Sequence, residues 1–124
     1  MQVKELLDKK GHDVYSISPD ATVYDALKLM AEKEIGALVV LEDGKMVGIL
    51  SERDYARKII LKGKASKDTT VREIMTSEVI ISRPDEKLGK CLSLMTKHHF
   101  RHIPILEEER LVGILSIEDV KGVT

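Results

Sequence analysis

The sequence predicts a mixed α/β (α+β) fold made of two tandem β-α-β-β-α units related by a pseudo-two-fold axis. An internal repeat is the main reason, because residues 14–54 align without a gap on residues 79–119, with 14 identities in 41 positions. Two copies are too few for a solenoid and favour a closed pair. A chain of 124 residues with 43% hydrophobic residues is also long and apolar enough for one compact domain.

The composition excludes several classes of function. Aromatic residues make up 3% of the chain and the net charge is −1, which argues against stacking platforms or a broad basic surface for nucleic acid. Cys91 is the single cysteine, so we expect a reducing compartment and neither an intrachain disulfide nor a thiolate zinc cage. Since no apolar run approaches 18 residues and no secretory signal precedes the repeat, we expect a soluble, cytoplasmic protein without a membrane partner.

Each copy begins with an extended stretch and continues as an amphipathic helix. The extended stretches, residues 14–17 and 79–81, are followed by Pro-Asp pairs that end them. The helices are predicted because apolar side chains then recur at the spacing i, i+3, i+4, i+7, which forms one stripe. The stripe residues are Val23, Ala26, Leu27 and Met30 in the first copy and Leu88, Cys91, Leu92 and Met95 in the second.

Two strands and a second helix complete each copy. A polar turn joins the apolar runs 37–41 and 46–50, and residues 103–106 and 111–115 repeat the pattern. Because these runs are continuously apolar, we expect strands that are covered on both faces. A Ser-x-x-Asp motif then starts a helix, most clearly at residues 54–60.

The domain boundaries follow from the repeat. We predict a first repeat with its lead-in at residues 1–61, a linker at 62–70, and a second repeat with its lead-in at 71–124. The linker is polar and contains glycine. The lead-in at residues 71–75 is similar in sequence to residues 3–7, so this segment is duplicated as well.

The two Ser-x-x-Asp motifs have two interpretations. Ser51 with Asp54, and Ser116 with Asp119, fit a capping box that needs no ligand. Both motifs also follow Gly-apolar-apolar at the end of a buried strand, where open α/β sheets bind ligands. A hydroxyl beside a helix N-terminus suits a phosphate, and a carboxylate can accept from ribose hydroxyls. The two roles can coexist.

These motifs resemble a known family. Residues 48–54 and 113–119 resemble the signature that closes a CBS (cystathionine β-synthase) domain, residues 14–20 and 79–85 its opening, residues 101–105 its middle strand, and residues 71–76 its lead-in. The resemblance covers nearly the whole chain and occurs twice, which implies a tandem CBS pair, or Bateman module. It implies two CBS repeats that bind adenine nucleotides in clefts between the copies and that commonly form dimers.

The resemblance also implies roles for individual residues. Asp54 and Asp119 would bind ribose, and Ser51 and Ser116 would supply hydroxyls on the phosphate side. The other implied residues are Ile49 and Ile114 as pocket lining, Val79 and Ile80 beside the base held by Asp54, and Val14 and Tyr15 beside the base held by Asp119. The alternative for each of these apolar residues is a place in the core.

Positive charge distinguishes the two copies. By resemblance, Arg101 and His102 reach nucleotide phosphates, whereas the first copy has Gly36 and Ala37 at these positions. The helix dipole alone would explain the neighbouring cations at residues 97–98.

The two signatures also differ in charge just before the aspartate. Arg53 precedes Asp54, whereas Glu118 precedes Asp119. A cation beside a phosphate stabilises it, so we expect the Asp54 cleft to be the tighter phosphate site unless Arg101 or His102 compensates Glu118. The alternative is an Arg53 that points to solvent.

Other chemistry is not predicted. A metal site at His98, His99, His102 and Cys91 is a weak alternative, because adjacent histidines point in different directions and Cys91 belongs to the helix stripe. The basic stretch 53–67, apart from Arg53, is interpreted mostly as a solvated face and linker, with nucleic-acid binding as the alternative. No catalytic constellation and no Gly-rich phosphate loop are present in the sequence.

The leading hypothesis is therefore a non-enzymatic regulatory sensor. Its expected ligand is AMP, ADP or ATP, with NAD as a further candidate, and no cofactor is required. We expect a homodimer in which ligand occupancy changes the arrangement of repeats or subunits and so acts on a regulated protein partner that the sequence does not name. The alternative is a constitutive dimerisation or protein-interaction module with empty clefts.

Overall fold

The structure is a computed structural model that describes residues 1–123. Its elements confirm the mixed α/β fold and the duplication. They are α1 Val3–Lys10, β1 Ser16–Ile17, α2 Val23–Lys33, β2 Ala37–Glu42, β3 Lys45–Ser51, α3 Glu52–Tyr55, α4 Val71–Ile74, α5 Leu88–His98, β4 His102–Glu107, β5 Arg110–Ser116 and α6 Ile117–Lys121. A π-helical turn, Ala56–Ile60, continues α3.

The chain divides into two compact units. The terminal unit contains Met1–Val14 and the segment from Ile80 onward, and the middle unit contains Tyr15–Val79. Each unit has its own hydrophobic core, to which the predicted helix stripes contribute. The buried stripe residues are Val23, Ala26 and Met30 of α2 in the middle unit, and Leu88, Cys91 and Met95 of α5 in the terminal unit.

The sheet of the middle unit has the strand order β1-β2-β3. β1 runs parallel to β2, and β2 forms an antiparallel hairpin with β3. The hairpin turn places Asp43 and Gly44 at φ values of 53° and 78°, as required by the tight turns that match the twist of paired strands. Ala37, Leu38, Val39 and Val40 are all buried, which confirms that β2 is covered on both faces.

The sheet of the terminal unit is the antiparallel hairpin β4-β5. The extended stretch predicted at residues 79–81 does not become a strand. Instead, Ser82 forms one bridge with β4: its N–H donates to the Pro104 carbonyl and its carbonyl accepts from the Leu106 N–H, both at 3.0 Å. Pro84 lies two residues further on and lacks an N–H, so the pairing ends there. In the middle unit the corresponding strand is shortened to β1.

The first lead-in helix packs in the terminal unit. The N–H groups of Val3 and Lys4 donate to the carbonyls of Glu86 and Pro84 at 2.8 and 2.9 Å. These bonds satisfy donors in the first turn of α1, which have no partner within the helix. α1 therefore begins against the loop before α5, within the second repeat.

The second lead-in helix makes the same contacts in the middle unit. The N–H groups of Val71 and Arg72 donate to the carbonyls of Ala21 and Pro19, both at 2.9 Å. α4 therefore begins against the loop before α2, within the first repeat. The predicted boundaries 1–61 and 71–124 describe the duplication along the chain, whereas in space each lead-in lies with the body of the other repeat.

Two glycines allow this close packing of the lead-ins. A Cβ at Gly113 would lie 2.6 Å from Cδ2 of Leu7. A Cβ at Gly48 would lie 2.8 Å from both Sδ of Met75 and the carbonyl oxygen of Thr76. The glycine that precedes each Ser-x-x-Asp motif is therefore required by a lead-in segment packed against its strand.

Part of the predicted linker is ordered against α2. Thr69 is buried, and its carbonyl accepts from the N–H of Val23 at 2.9 Å. The Ser66 carbonyl accepts from the N–H of Tyr24 at 3.0 Å. Residues 66–69 therefore help to start α2 and belong structurally to the middle unit.

Candidate functional site

The two Ser-x-x-Asp motifs lie where β3 and β5 end and where α3 and α6 begin. The Asp54 N–H donates to Ser51 Oγ at 3.3 Å, and the Ser51 N–H donates to Asp54 Oδ2 at 3.0 Å. The Asp119 N–H and Ser116 Oγ are 3.0 Å apart, and the Ser116 N–H and Asp119 Oδ2 are 2.8 Å apart. The capping interpretation is therefore confirmed in both repeats.

The carboxylate of Asp54 is surrounded by donors. Oδ2 accepts from the N–H and, at 3.1 Å, from the hydroxyl of Ser51. Oδ1 accepts from the Thr76 hydroxyl at 3.1 Å and lies 3.1 Å from Nζ of Lys58. Lys58 is itself fixed, because Nζ also donates to the Ile74 carbonyl at 2.9 Å. Four donors satisfy both oxygens of a side chain that is only 11% exposed.

The carboxylate of Asp119 is more open. Lys10 Nζ and the Ser116 N–H both bind Oδ2, each at 2.8 Å, and among residues 1–123 no donor lies on Oδ1. The side chain is 29% exposed. Partial burial acts to raise the pKa of Asp119, but hydrogen bonds from Lys10 and Ser116 and the ammonium charge lower that pKa below its ordinary value. Asp119 is therefore an ionised, partly exposed carboxylate whose Oδ1 accepts no hydrogen bond from residues 1–123.

The residues beside the Asp119 motif include both predicted phosphate contacts. His102 lies opposite Ser116 in the β4-β5 ladder, and the Arg101 carbonyl accepts from the N–H of Ile117 at 2.8 Å. Burial, together with the Arg101 charge, lowers the pKa of His102. The ring is therefore neutral near pH 7, and one ring nitrogen can accept while the other donates.

The first copy has small residues in the same places. Ala37 lies opposite Ser51 in the β2-β3 ladder, and the Gly36 carbonyl accepts from the N–H of Glu52 at 3.0 Å. The structure therefore places the predicted pairs 36–37 and 101–102 at equivalent positions beside their motifs. The two repeats therefore differ in side-chain charge and size at the same position beside their motifs.

The charge difference between Arg53 and Glu118, the residues before the two aspartates, is smaller in the structure than the sequence indicates. The guanidinium of Arg101 forms an ion pair with the carboxylate of Glu118, and both side chains are exposed. Arg101 therefore compensates the negative charge of Glu118. Arg53 is also exposed, and its contact with a phosphate stays a prediction.

The predicted lining residues lie on the strands that lead into the motifs. Ile49 is half-buried in β3 and forms a bridge with Thr76, with N–H to O distances of 3.0 and 2.9 Å. Ile114 is half-buried in β5, and its carbonyl accepts from Lys10 Nζ at 2.7 Å. A lead-in segment therefore covers the edge of each strand, through backbone in one unit and through a side chain in the other.

The four residues predicted to face the base are divided between the units. Val14 lies in the terminal unit together with Asp119, and Val79 lies in the middle unit together with Asp54. Tyr15, which is predicted beside the base at Asp119, lies in the middle unit, and Ile80, which is predicted beside the base at Asp54, lies in the terminal unit. Three of them are half-buried, and Tyr15 is exposed with Lys33 Nζ 5.3 Å from its ring centroid. Their contact with a base stays a prediction.

Sequence reasoning missed three residues at the carboxylates. Lys58 could have been found, because it follows Asp54 at the i, i+4 spacing of helical ion pairs. Thr76 ends the duplicated lead-in, but that position by itself does not indicate a contact. No sequence signal indicates Lys10, because its contact with Asp119 spans 109 residues.

The cysteine and histidines of the weak metal alternative are not assembled into a site. Cys91 is buried, and its Sγ lies 3.3 Å from Ser82 Oγ. Burial raises the pKa of this thiol, which disfavours the thiolate that a metal would need. Within residues 1–123, no group of three or more His, Cys, Asp or Glu side chains is placed to hold a metal ion. Over the same range, every helix is too short or too polar to span a membrane.

Known proteins match this chain along nearly its whole length. The sequence model of the CBS domain matches residues 3–61 and 71–123. The mitochondrial CBS domain-containing protein CBSX3 of Arabidopsis thaliana is 45% identical over 106 residues, which are 82% of this chain and 52% of that protein. The chain therefore spans about half the length of this relative.

Solved structures show the same fold. The crystal structure of the CBS domain protein NE2398 matches with a TM-score of 0.95 at 44% identity, covering 98% of this chain and 95% of that one. The CBS domain pair of protein MJ0100, in complex with 5′-methylthioadenosine and S-adenosyl-L-methionine, matches with a TM-score of 0.83 at 26% identity, covering 99% and 94%. With two matched domains and a duplicated Ser-x-x-Asp site, the chain belongs to the CBS-domain family and is a tandem CBS pair.

Proposed function

We propose that this chain is a non-enzymatic regulatory module that binds an adenine nucleotide, AMP, ADP or ATP, at its Ser-x-x-Asp motifs. The observation that carries the proposal is the partly exposed Asp119 carboxylate, whose Oδ1 has no donor from residues 1–123 and which lies at the end of β5 near a neutral His102 of β4. An ionised carboxylate can accept hydrogen bonds from the two hydroxyls of a ribose. The similar MJ0100 pair, which was solved with two adenosine derivatives, supports this ligand class.

The two motifs should differ in their affinity for a nucleotide. A ribose at Asp54 would have to displace Thr76, Lys58 or Ser51 from a carboxylate that is 11% exposed. A ribose at Asp119 can begin on an oxygen that has no donor from residues 1–123. Since displacing a buried hydrogen bond costs affinity, we expect the Asp119 motif to bind first. This ranking reverses the one that Arg53 and Glu118 alone would predict.

A calorimetric titration with AMP, ADP, ATP, NAD and S-adenosylmethionine tests the proposal. We expect Asp119→Asn to weaken nucleotide binding about tenfold or more, because it removes a charged acceptor. Asp85→Asn, an exposed aspartate of the same unit, is the matched control and should not change binding. Unchanged affinity in a folded Asp119→Asn, Asp54→Asn double variant would exclude the ribose role of the motifs.

A constitutive interaction module is the second candidate. It is favoured by the fact that both motifs are capped and Asp54 is fully satisfied without a ligand. In that case none of the five ligands would raise the melting temperature, since only binding to the native state stabilises it.

A further inference from the structure

The ammonium of Lys10 occupies the candidate ribose site of the terminal unit. Lys10 Nζ lies 2.8 Å from Asp119 Oδ2 and 2.7 Å from the Ile114 carbonyl. These two contacts leave one N–H of the ammonium, which carries three, for another acceptor. The side chains of Lys10 and Asp119 are each 29% exposed, so an external ligand can reach both.

The middle unit is arranged differently, because the ammonium beside Asp54 belongs to Lys58, which follows the motif, and not to a lead-in residue. There the strand edge is bridged by the backbone of Thr76, which pairs with Ile49 through two hydrogen bonds. A backbone bridge is held by its chain on both sides, whereas a lysine head group can swing away on a flexible four-carbon stem. The ligand site at Asp119 therefore contains a displaceable cation that comes from the lead-in.

We propose that Lys10 is a specificity-determining residue that makes the Asp119 site prefer ribose ligands carrying a phosphate over uncharged nucleosides. This inference rests on the proposed function. A ribose that binds both oxygens of Asp119 must displace Lys10 from Oδ2, and an uncharged nucleoside offers the displaced ammonium no anion in return. When the ribose of a nucleotide binds the Asp119 carboxylate, the displaced Lys10 ammonium can donate a charge-assisted hydrogen bond to the phosphate of the same ligand.

The charge balance of the site supports the same preference. The Lys10 ammonium neutralises Asp119, and the Arg101 guanidinium neutralises Glu118. Without Lys10, Asp119 would repel a phosphate and attract a cationic ligand. Lys10 should therefore also disfavour a positively charged sulfonium group beside the ribose, as in S-adenosylmethionine.

Site-resolved titration by NMR tests the proposal. The backbone amides of Ser116 and Asp119 are followed while adenosine, AMP and S-adenosylmethionine are added to the wild type and to Lys10→Met, Lys10→Arg and Lys9→Met. In Lys10→Met we expect the ratio of AMP to adenosine affinity to fall about tenfold, the effect of losing one charge-assisted hydrogen bond. Lys10→Arg keeps the charge and should keep most of the preference.

Lys9→Met is the matched control, because it removes a charge from the adjacent exposed residue of α1. It should leave the ratio unchanged. A ratio that is the same in Lys10→Met and the wild type, while both bind AMP at Asp119, would overturn the role of Lys10 and leave the proposed function standing. If the wild type binds none of the ligands, the proposed function fails and the role of Lys10 fails with it.

Discussion

The hydroxyl of Thr76 donates a 3.1 Å hydrogen bond to Oδ1 of Asp54. The last residue of the second lead-in therefore completes the donor set around a buried carboxylate of the first repeat. In the terminal unit the equivalent task is done by an ammonium, that of Lys10 on Asp119. The lead-in thus supplies a neutral donor to the motif in one unit and a charged donor in the other.

We predict that Thr76→Val destabilises the protein. The substitution is nearly isosteric but removes a donor from a buried charged acceptor, so the free energy of unfolding should fall by about 1–3 kcal/mol. Thr96→Val, on the exposed face of α5, is the matched control and should have little effect. Urea denaturation measures both, and equal midpoints would show that this hydrogen bond does not stabilise the middle unit.

The glycines before the motifs should tolerate alanine to different degrees. At Gly48 a Cβ meets the Thr76 carbonyl, which is backbone and cannot rotate away. At Gly113 it meets only the end of the Leu7 side chain. We expect Gly48→Ala to lower the free energy of unfolding by about 1–3 kcal/mol and Gly113→Ala to lower it less.

Gly89→Ala is the control for these variants. Apart from the backbone of its own helix, no atom of the described chain lies within 4 Å of a Cβ placed at Gly89. Because alanine is also the better helix former, the change should be neutral or stabilising. Thermal denaturation of the three variants gives the order of their stabilities. A Gly113→Ala protein less stable than Gly48→Ala would contradict the packing that is described for α1 and α4.

Two histidines should have pKa values on opposite sides of the ordinary value of about 6.5. Nε2 of His12 lies 2.9 Å from Asp8 Oδ1 and Nδ1 lies 3.1 Å from the Val112 carbonyl. Both partners are acceptors, so the doubly protonated ring is favoured, and the hydrogen bonds to Asp8 and Val112 raise the pKa of His12. Burial lowers the pKa of His102.

The two shifts have opposite consequences for stability. The His12 contribution is fully present below about pH 6.5 and is lost as the pH rises through the raised folded-state pKa. The His102 contribution is present above about pH 6.5 and is lost as the pH falls through the lowered folded-state pKa. An NMR titration of the Cε1–H resonances, assigned with His12→Gln and His102→Gln, checks the order. A His102 pKa above that of His12 would disprove it.

Removal of Glu118 should strengthen phosphate binding at the second motif. Glu118→Gln breaks the ion pair with Arg101 and frees the guanidinium for a ligand. We expect ADP to bind about two- to fivefold more tightly, with adenosine unchanged, since exposed ion pairs contribute little. Glu107→Gln, an exposed residue of β4, is the control. An equal gain for adenosine and ADP would remove Arg101 from the phosphate site.

A homodimer is expected from the exposed apolar surface. Ile60 and Leu61 are 59% and 78% exposed at the end of the π-helical turn, and α2 and α3 border an open depression of about 610 Å³. Two-fold pairing is the usual way to cover such surface. Sedimentation equilibrium should give twice the 13.9 kDa of one chain.

Variants locate the dimer surface. Leu61→Asp should shift the equilibrium toward the monomer, because it places a charge on the exposed apolar surface. Val123→Asp is the control, because Val123 is also exposed, at 43%, but lies far from Leu61 in the sequence. It should not shift the equilibrium toward the monomer. A wild-type protein that sediments as a monomer at micromolar concentration, with and without nucleotide, would rule out the dimer.

The sequence by itself determined the duplication, the two hairpins, the helix stripes and the position of each Ser-x-x-Asp cap. These features depend on local periodicity and on contacts over a few residues, such as the three-residue step from Ser51 to Asp54. A repeated pattern therefore predicts them twice. The family resemblance also implied that residues 36–37 and 101–102 lie beside their motifs, and the hairpin registers place them there.

Only the tertiary structure decided which lead-in serves which motif. Lys10 and Asp119 are 109 residues apart, and the two lead-ins are so similar in sequence that no local pattern assigns either to a body. Their assignment depends on packing, with Leu7 against Gly113 and Met75 against Gly48. Long-range packing therefore determined that one carboxylate is enclosed and the other remains open to a ligand.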